Sequence, residues 1–149
     1  MIAASLSSEL SGALWAGWTD SLSGSLWVWV DWPWIEMWLA AFVLTQLVET
    51  PIYTLAQRRD GPPAALLRRV GFAFLASALT HPVVWFVIPE IIPLERYTLF
   101  FVFAEGFAVF AEALLMRALG LRHAAIWALV ANASSVVVGY VIRALFGWP

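Results

Sequence analysis

The chain has 149 residues, of which 62% are hydrophobic and 12% are charged, and its mean hydropathy is +0.84. Soluble domains usually carry about 25% charged residues, so this composition indicates an integral membrane protein. The length allows one compact bundle and no second domain. The net charge of −2 argues against a nucleic-acid partner, and the absence of cysteine excludes disulfides and thiolate chemistry.

The N-terminal segment, residues 1–33, predicts an amphipathic helix lying in the membrane interface. Leucine or tryptophan recurs there at every fourth position, with serine and aspartate filling much of the rest. The segment is also rich in tryptophan, which prefers the headgroup level of a bilayer. Two alternatives stay open: a frayed tail in which tryptophan simply anchors the first span, and a surface that docks on a partner protein.

Residues 34–149 predict a four-helix transmembrane domain, with spans at about 34–57, 69–88, 97–117 and 123–146. Arginine is concentrated in the loop at 58–69 and after the third span, and the positive-inside rule places these loops in the cytoplasm. Both termini are therefore expected outside it. Lysine is absent and alanine, leucine and tryptophan are abundant. This usage suggests a GC-rich bacterial gene, so we expect a multi-pass protein of the bacterial inner membrane.

The third span carries two carboxylates far from its ends, Glu105 and Glu112. Seven residues make two helical turns, so both side chains point to the same side of the helix. An ionised acid at mid-membrane costs about 2.5–3.5 kcal/mol on insertion scales. The pair is therefore expected to face protein, water, a metal ion or each other, and not lipid.

Each of the other spans adds polar side chains at comparable depth. Glu49 lies beside Pro51 in the first span, and His81 precedes Pro82 in the second. From the helical rise, Glu49 lies about 13 Å from the cytoplasmic end of its span, Glu112 about 7–8 Å, and His81 and Glu105 about 18 Å. The sequence therefore predicts one buried polar centre, with these residues joined by the supporting polar side chains Gln46, Asn132 and Ser135.

Three functions are compatible with such a centre. The first is handling of protons or a cation by a transporter, channel or transport subunit, since staggered acids and a histidine are typical of a relay. The second is a metal-dependent membrane hydrolase, in which a divalent metal ion is the cofactor, Glu49, His81, Glu105 and Glu112 are its ligands, and His81, Glu105 and Glu112 are catalytic. The third is a non-catalytic subunit of a larger complex. The residues do not decide whether the protein is an enzyme.

A chain this short favours a homo-oligomer or a larger membrane complex under the transport hypothesis.

The alternative to all three functions is that the polar centre has a purely structural role. In that case a protonated Glu105 is hydrogen-bonded to His81 or Gln46, and Asn132 caps another glutamate. Nothing resembles a phosphate loop, a nucleophile elbow or a dinucleotide fingerprint.

A set of short polar motifs resembles small four-span bacterial inner-membrane proteins that are uncharacterised. The motifs are Glu49-Thr50-Pro51, Thr80-His81-Pro82, Ala104-Glu105, Glu112-Ala113 and Ala131-Asn132-Ala133-Ser134-Ser135. The resemblance covers about residues 34–146 and excludes the tryptophan-rich N-terminus. It implies the same four-helix layout and nothing about activity.

Overall fold

The computed structural model describes residues 32–147, and within them every regular element is helical. The four long helices are α1 (Trp32–Asp60), α2 (Leu66–Phe86), α4 (Tyr97–Ala118) and α5 (Ala124–Phe146). Between α2 and α4 lie the single-turn helix α3 (Ile88–Ile91) and a 3-10 turn (Leu94–Arg96). The predicted interfacial helix at 1–33 lies outside the described residues, apart from the start of α1.

Each long helix is long and apolar enough to cross a membrane. The prediction of an all-α bundle with four membrane spans is thus confirmed, and by this criterion the chain is a multi-pass membrane protein. The bounds differ from the predicted spans by at most three residues: α1 starts two residues earlier and ends three residues later than predicted, and α2 starts three residues earlier and ends two residues earlier.

Proline and positive-φ residues set the helix ends. Pro89 in α3 cannot donate a backbone hydrogen bond, and Val87 separates α3 from α2. Gly120 (φ +87°) and His123 (φ +54°) adopt left-handed conformations in the short connection between α4 and α5, as is common after a helix C-terminus. Pro51 lies within the continuous helix α1, so it does not end the first span.

The long helices run in alternating directions, which gives the bundle two chemically different ends. At one end, called here the basic end, α1 runs into the loop before α2 and α4 runs into the loop before α5. Its arginines are Arg58, Arg59, Arg68, Arg69, Arg117 and Arg122. The other end, called the mouth end, holds the start of α4 and the end of α5. Only the basic end carries an excess of cationic side chains.

The buried apolar core lies toward the basic end. It consists of Tyr53, Ala56, Ala73, Ala76, Met116, Leu121, Ala124, Ala128 and Ala131. Small side chains allow helix backbones to approach closely, and α4 packs against both α2 and α5. Polar side chains attach α1 to α2: the Gln57 amide donates to the Arg69 carbonyl at 3.2 Å.

Asp60 joins the two loops of the basic end. Its carboxylate accepts a hydrogen bond from Trp127 Nε1 at 2.7 Å, and its backbone carbonyl accepts one from the Arg122 amide at 3.0 Å. His123 Nδ1 lies 3.7 Å from the same carboxylate. These contacts fix the end of α1 to the start of α5 and hold the basic end together.

Candidate functional site

A cavity of about 240 Å³ lies between the four long helices, on the mouth side of the apolar core. The buried side chains Glu49, Ser77, Glu112 and Asn132 line the cavity, and so does the exposed Arg143 near the end of α5, at the mouth end. Every long helix contributes to the lining. Acidic and hydroxyl side chains thus meet in one cavity between the helices, next to the apolar core.

Glu112 on α4 is the most extensively hydrogen-bonded acid in the cavity. Its side chain is 1% exposed. Oε2 accepts from the Tyr53 hydroxyl at 2.6 Å and from Asn132 Nδ2 at 2.8 Å, and Oε1 accepts from the Thr80 hydroxyl at 2.8 Å. The donors come from α1, α5 and α2, so the one carboxyl group connects all four long helices.

Glu49 on α1 is equally buried, at 1% exposed. Oε2 accepts a hydrogen bond from the Ser77 hydroxyl on α2, and Oε1 accepts one from the Ser135 hydroxyl on α5 at 2.7 Å. Both of its partners are neutral hydroxyl groups. The two buried acids therefore lie side by side in separate but similar networks of neutral donors.

In the part of the chain that the structure describes, neither buried acid has a cationic partner. Within residues 32–147 the only ion pair joins Asp60 and His123 at the basic end. A buried carboxylate without a counter-charge is expensive in a medium of low dielectric constant. Such a group is expected to take up a proton or to bind a cation from outside the protein.

Two of the hydroxyl donors have a choice of acceptor. The Thr80 hydroxyl is 2.8 Å from Glu112 Oε1 and 3.2 Å from the Ala76 carbonyl oxygen. The Ser135 hydroxyl is 2.7 Å from Glu49 Oε1 and 2.9 Å from the Asn132 carbonyl oxygen. A hydroxyl has one hydrogen and also accepts, so each can donate to the acid or to the backbone. The geometry thus accommodates both the ionised and the protonated form of each acid.

Glu105 lies in the cavity wall two turns nearer the mouth than Glu112, with the buried Ala108 between them. It is partly exposed, and within the described residues its side chain has no hydrogen-bond or ion-pair partner. It is therefore the acid that presents an unengaged carboxyl group to the cavity. The sequence prediction that both acids of the third span face the bundle interior agrees with these positions.

His81 lines the same cavity and is 8% exposed. Its ring stacks on Trp85, with centroids 5.9 Å apart, and meets Phe42 edge to face at 5.3 Å. Its Nδ1 is buried and has no hydrogen-bond partner in the described part of the chain. The imidazole is thus held by aromatic rings and not by the carboxyl groups.

The residues proposed as metal ligands share the cavity but do not form a coordination sphere. Within residues 32–147 no group of three histidine, aspartate or glutamate side chains is placed to hold a metal ion. Glu49 and Glu112 already accept hydrogen bonds at both oxygens. The metal-dependent hydrolase accordingly stays a prediction that no observed contact favours.

The predicted supporting residues divide into two groups. Asn132 and Ser135 each donate to a buried acid. The structure places Gln46 elsewhere: its amide donates to the Phe74 carbonyl at 3.2 Å and its oxygen accepts from Thr50. Gln46 therefore contributes to the contact between α1 and α2 and does not line the cavity.

Three donors of the site were not selected from the sequence as its members: Tyr53, Ser77 and Thr80. Tyr53 follows Glu49 by one helical turn, and Ser77 and Thr80 precede His81 by four residues and by one. Their spacing places them near the predicted centre. Which acid each one would reach depends on the rotation of the helices, which the spacing leaves open.

Comparison of the chain with protein-family models, with curated proteins and with solved structures found no match. The class of protein is therefore inferred from the structure of the chain itself. The chain is a multi-pass membrane protein whose four long helices line a cavity with buried glutamates, and these glutamates have no cationic partner among residues 32–147.

Proposed function

We propose that this chain is a transport protein of the bacterial inner membrane, or the membrane subunit of a transporter or channel, in which Glu49 and Glu112 bind and release protons. One observation carries the proposal. Two fully buried acids lack a cationic partner among the described residues, and each contacts a hydroxyl group that has a second acceptor within hydrogen-bond distance.

The proton step needs little rearrangement. A proton from water in the cavity binds to Glu112 Oε1, which then donates to Thr80 Oγ1, while the Thr80 hydrogen turns to the Ala76 carbonyl. The same exchange at Glu49 uses the Ser135 hydroxyl and the Asn132 carbonyl. Proton release reverses both hydroxyl rotations. No buried polar group loses its partner in either state, so neither state incurs the cost of an unsatisfied buried donor.

The packed core on the basic side supports a carrier more than an open pore. The cavity extends from the two acids toward Arg143 at the mouth, whereas packed side chains such as Met116 fill the space on the basic side. A solute that entered the cavity would reach the acids and stop there. The acids thus lie at the level where access would have to change from one side to the other.

The orientation and assembly belong to the same proposal. The positive-inside rule assigns the arginine-rich end to the cytoplasm, so the mouth opens to the outside and both termini lie there. The small size of the bundle favours a homo-oligomer or a larger membrane complex. Cross-linking in membranes tests the assembly.

Infrared difference spectroscopy of the reconstituted protein tests the proton step directly. Raising the pH from mildly acidic to mildly alkaline is expected to remove the carbonyl band of protonated carboxylic acids. Part of this change disappears in Glu112→Gln and part in Glu49→Gln. Glu90→Gln is the matched control because Glu90 is exposed outside the cavity.

The outcomes separate proton handling from a structural role. If the band at the buried acids does not respond to pH, or if neither glutamine variant alters it, the acids are permanently in one state and the proposal is wrong. Proton flux into liposomes with a trapped pH-sensitive dye then tests transport. We expect flux in the wild type and in Glu90→Gln, and its loss in Glu112→Gln.

A further inference from the structure

We infer that the cavity is a binding site for a small organic cation, a quaternary or protonated amine, whose charge is held by Glu105. The inference deepens the proposed function, on which it rests for the role of the cavity, by naming the class of substrate. It stands on four features of the described residues: cavity size, charge, aromatic lining, and an unpartnered buried imidazole.

The size of the cavity indicates more than a bare ion. Its volume is about 240 Å³. A cavity of this size holds several water molecules. A small organic ion with several non-hydrogen atoms fits this volume, whereas a dehydrated metal ion would leave most of it empty.

The charge of the lining selects cations. Three carboxyl groups line the cavity, those of Glu49, Glu105 and Glu112, and Arg143 at the mouth is the one basic side chain apart from His81. Glu49 and Glu112 are occupied by neutral donors. Glu105 has no partner within residues 32–147, so it is the carboxyl group free to pair with an entering charge.

Aromatic rings stand on the path from the mouth to Glu105. Tyr97 stacks on Phe101 with centroids 6.1 Å apart, Phe101 lies 6.3 Å from Tyr140, and the two tyrosine hydroxyls are 3.3 Å apart. Trp85 also lines the cavity. Faces of aromatic rings attract quaternary ammonium groups but lack the oxygen lone pairs that hard metal ions require.

His81 gives an independent indication of a ligand. It lines the cavity, it is more than nine-tenths buried, and its Nδ1 lacks a hydrogen-bond partner in the described residues. A buried polar atom without a partner is rare in native structures. A polar group of a molecule bound in the cavity would supply the missing partner.

The position of Glu105 also connects the cation to the protons. Seven residues along α4 separate it from Glu112, a rise of about 10 Å. A positive charge at this distance in a medium of low dielectric constant favours the ionised form of Glu112. Arrival of the cation therefore promotes proton release, and protonation weakens cation binding.

Calorimetric titration of the purified wild-type protein in detergent tests the site. The probes are choline and 3,3-dimethyl-1-butanol, a neutral molecule of nearly the same shape with a carbon in place of the nitrogen. We expect choline to bind roughly tenfold or more tighter than the alcohol. Choline should bind more weakly at acidic pH, where protons compete.

Variants assign the site. Glu105→Gln and Phe101→Leu should each weaken choline binding roughly tenfold, and Arg143→Gln should tighten it because a repelling charge is removed. Glu90→Gln should leave it unchanged. Matched thermal unfolding curves confirm that each variant is folded. Testing both Glu105 and Phe101 keeps the site falsifiable if one variant does not fold.

Three results would overturn the inference: equal binding of choline and the alcohol, no choline binding, or wild-type binding by folded Glu105→Gln. If choline does not bind and the infrared band still responds to pH, the proposed proton chemistry stands without this substrate class. If choline binds and the band does not respond, the cavity has the inferred ligand and the proton chemistry fails.

Discussion

Replacing Glu112 by leucine and by glutamine separates the loss of a hydrogen-bond network from the loss of a charge. Glutamine can preserve every contact: its oxygen accepts from Tyr53 and Asn132, and its amide donates to Thr80, whose own hydrogen turns to the Ala76 carbonyl. Leucine accepts nothing. Thr80 and Asn132 then retain only their backbone acceptors, and the fully buried Tyr53 hydroxyl has none.

The expected difference follows from these contacts. Hydrogen bonds between membrane helices average about 0.6 kcal/mol each, so losing three costs about 2 kcal/mol. The unsatisfied tyrosine hydroxyl adds about 1–3 kcal/mol, which brings the total to about 3–5 kcal/mol. At about 2–4 °C per kcal/mol, Glu112→Leu should unfold roughly 6–20 °C below Glu112→Gln.

Tryptophan fluorescence during heating in detergent measures this difference, and the chain contains ten tryptophans. The glutamine variant should unfold within a few degrees of the wild type and yet lose proton flux. Leucine and glutamine variants that unfold at the same temperature would show that the three donors contribute nothing to stability, and the reasoning from their geometry would be refuted.

Two further predictions concern the basic end. Gly120→Ala should lower the free energy of unfolding by about 1–2 kcal/mol, because its φ is +87° and an added Cβ lies 3.3 Å from the Pro62 ring. Gly106→Ala, where a Cβ meets nothing within 4 Å, should be neutral or stabilising by up to about 1 kcal/mol, and thermal unfolding compares the two. Asp60→Ala and Trp127→Phe should each lower the unfolding temperature through loss of the 2.7 Å hydrogen bond. The double variant should lower it little more than either single variant, and additive losses would contradict the contact.

The bundle could be predicted because hydropathy and turn chemistry act locally. Long apolar stretches separated by Asp60-Gly61-Pro62-Pro63, by Pro89 and Pro93, and by Gly120 leave little choice of span. The helix ends deviate where local signals compete. Pro89 lies in the first turn of the separate helix α3, so α2 ends earlier than the run of apolar residues predicted.

The membership of the site was harder to predict than its existence. Depth estimates placed Glu49 and Glu112 about 5 Å apart, yet the structure gives them overlapping levels. On α5, Asn132, which donates to Glu112, lies three residues nearer the basic end than Ser135, which donates to Glu49. On α2 the order is reversed, because Thr80, the donor to Glu112, lies three residues farther from the basic end than Ser77, the donor to Glu49. Helix tilt and long side chains remove the estimated difference.

Gln46 shows the same limit from the other direction. Gln46 precedes Glu49 by three residues, which places both on the same side of α1. One side of a helix covers a wide angle, however, so the two side chains need not contact the same groups. The side chain turns to the Phe74 carbonyl on α2. Periodicity identifies the side of a helix, and only the packing of the neighbours decides which group a side chain contacts.

Six of the nine side chains that make up the apolar core are alanine. A methyl group has no rotamer to change, so most of this barrier cannot be moved aside by turning a side chain. Passage of a solute through the basic end therefore requires the backbones themselves to separate. Substitution of a central alanine such as Ala128 by a bulkier residue should wedge the helices apart, and leakage of small solutes across the bilayer would be the consequence.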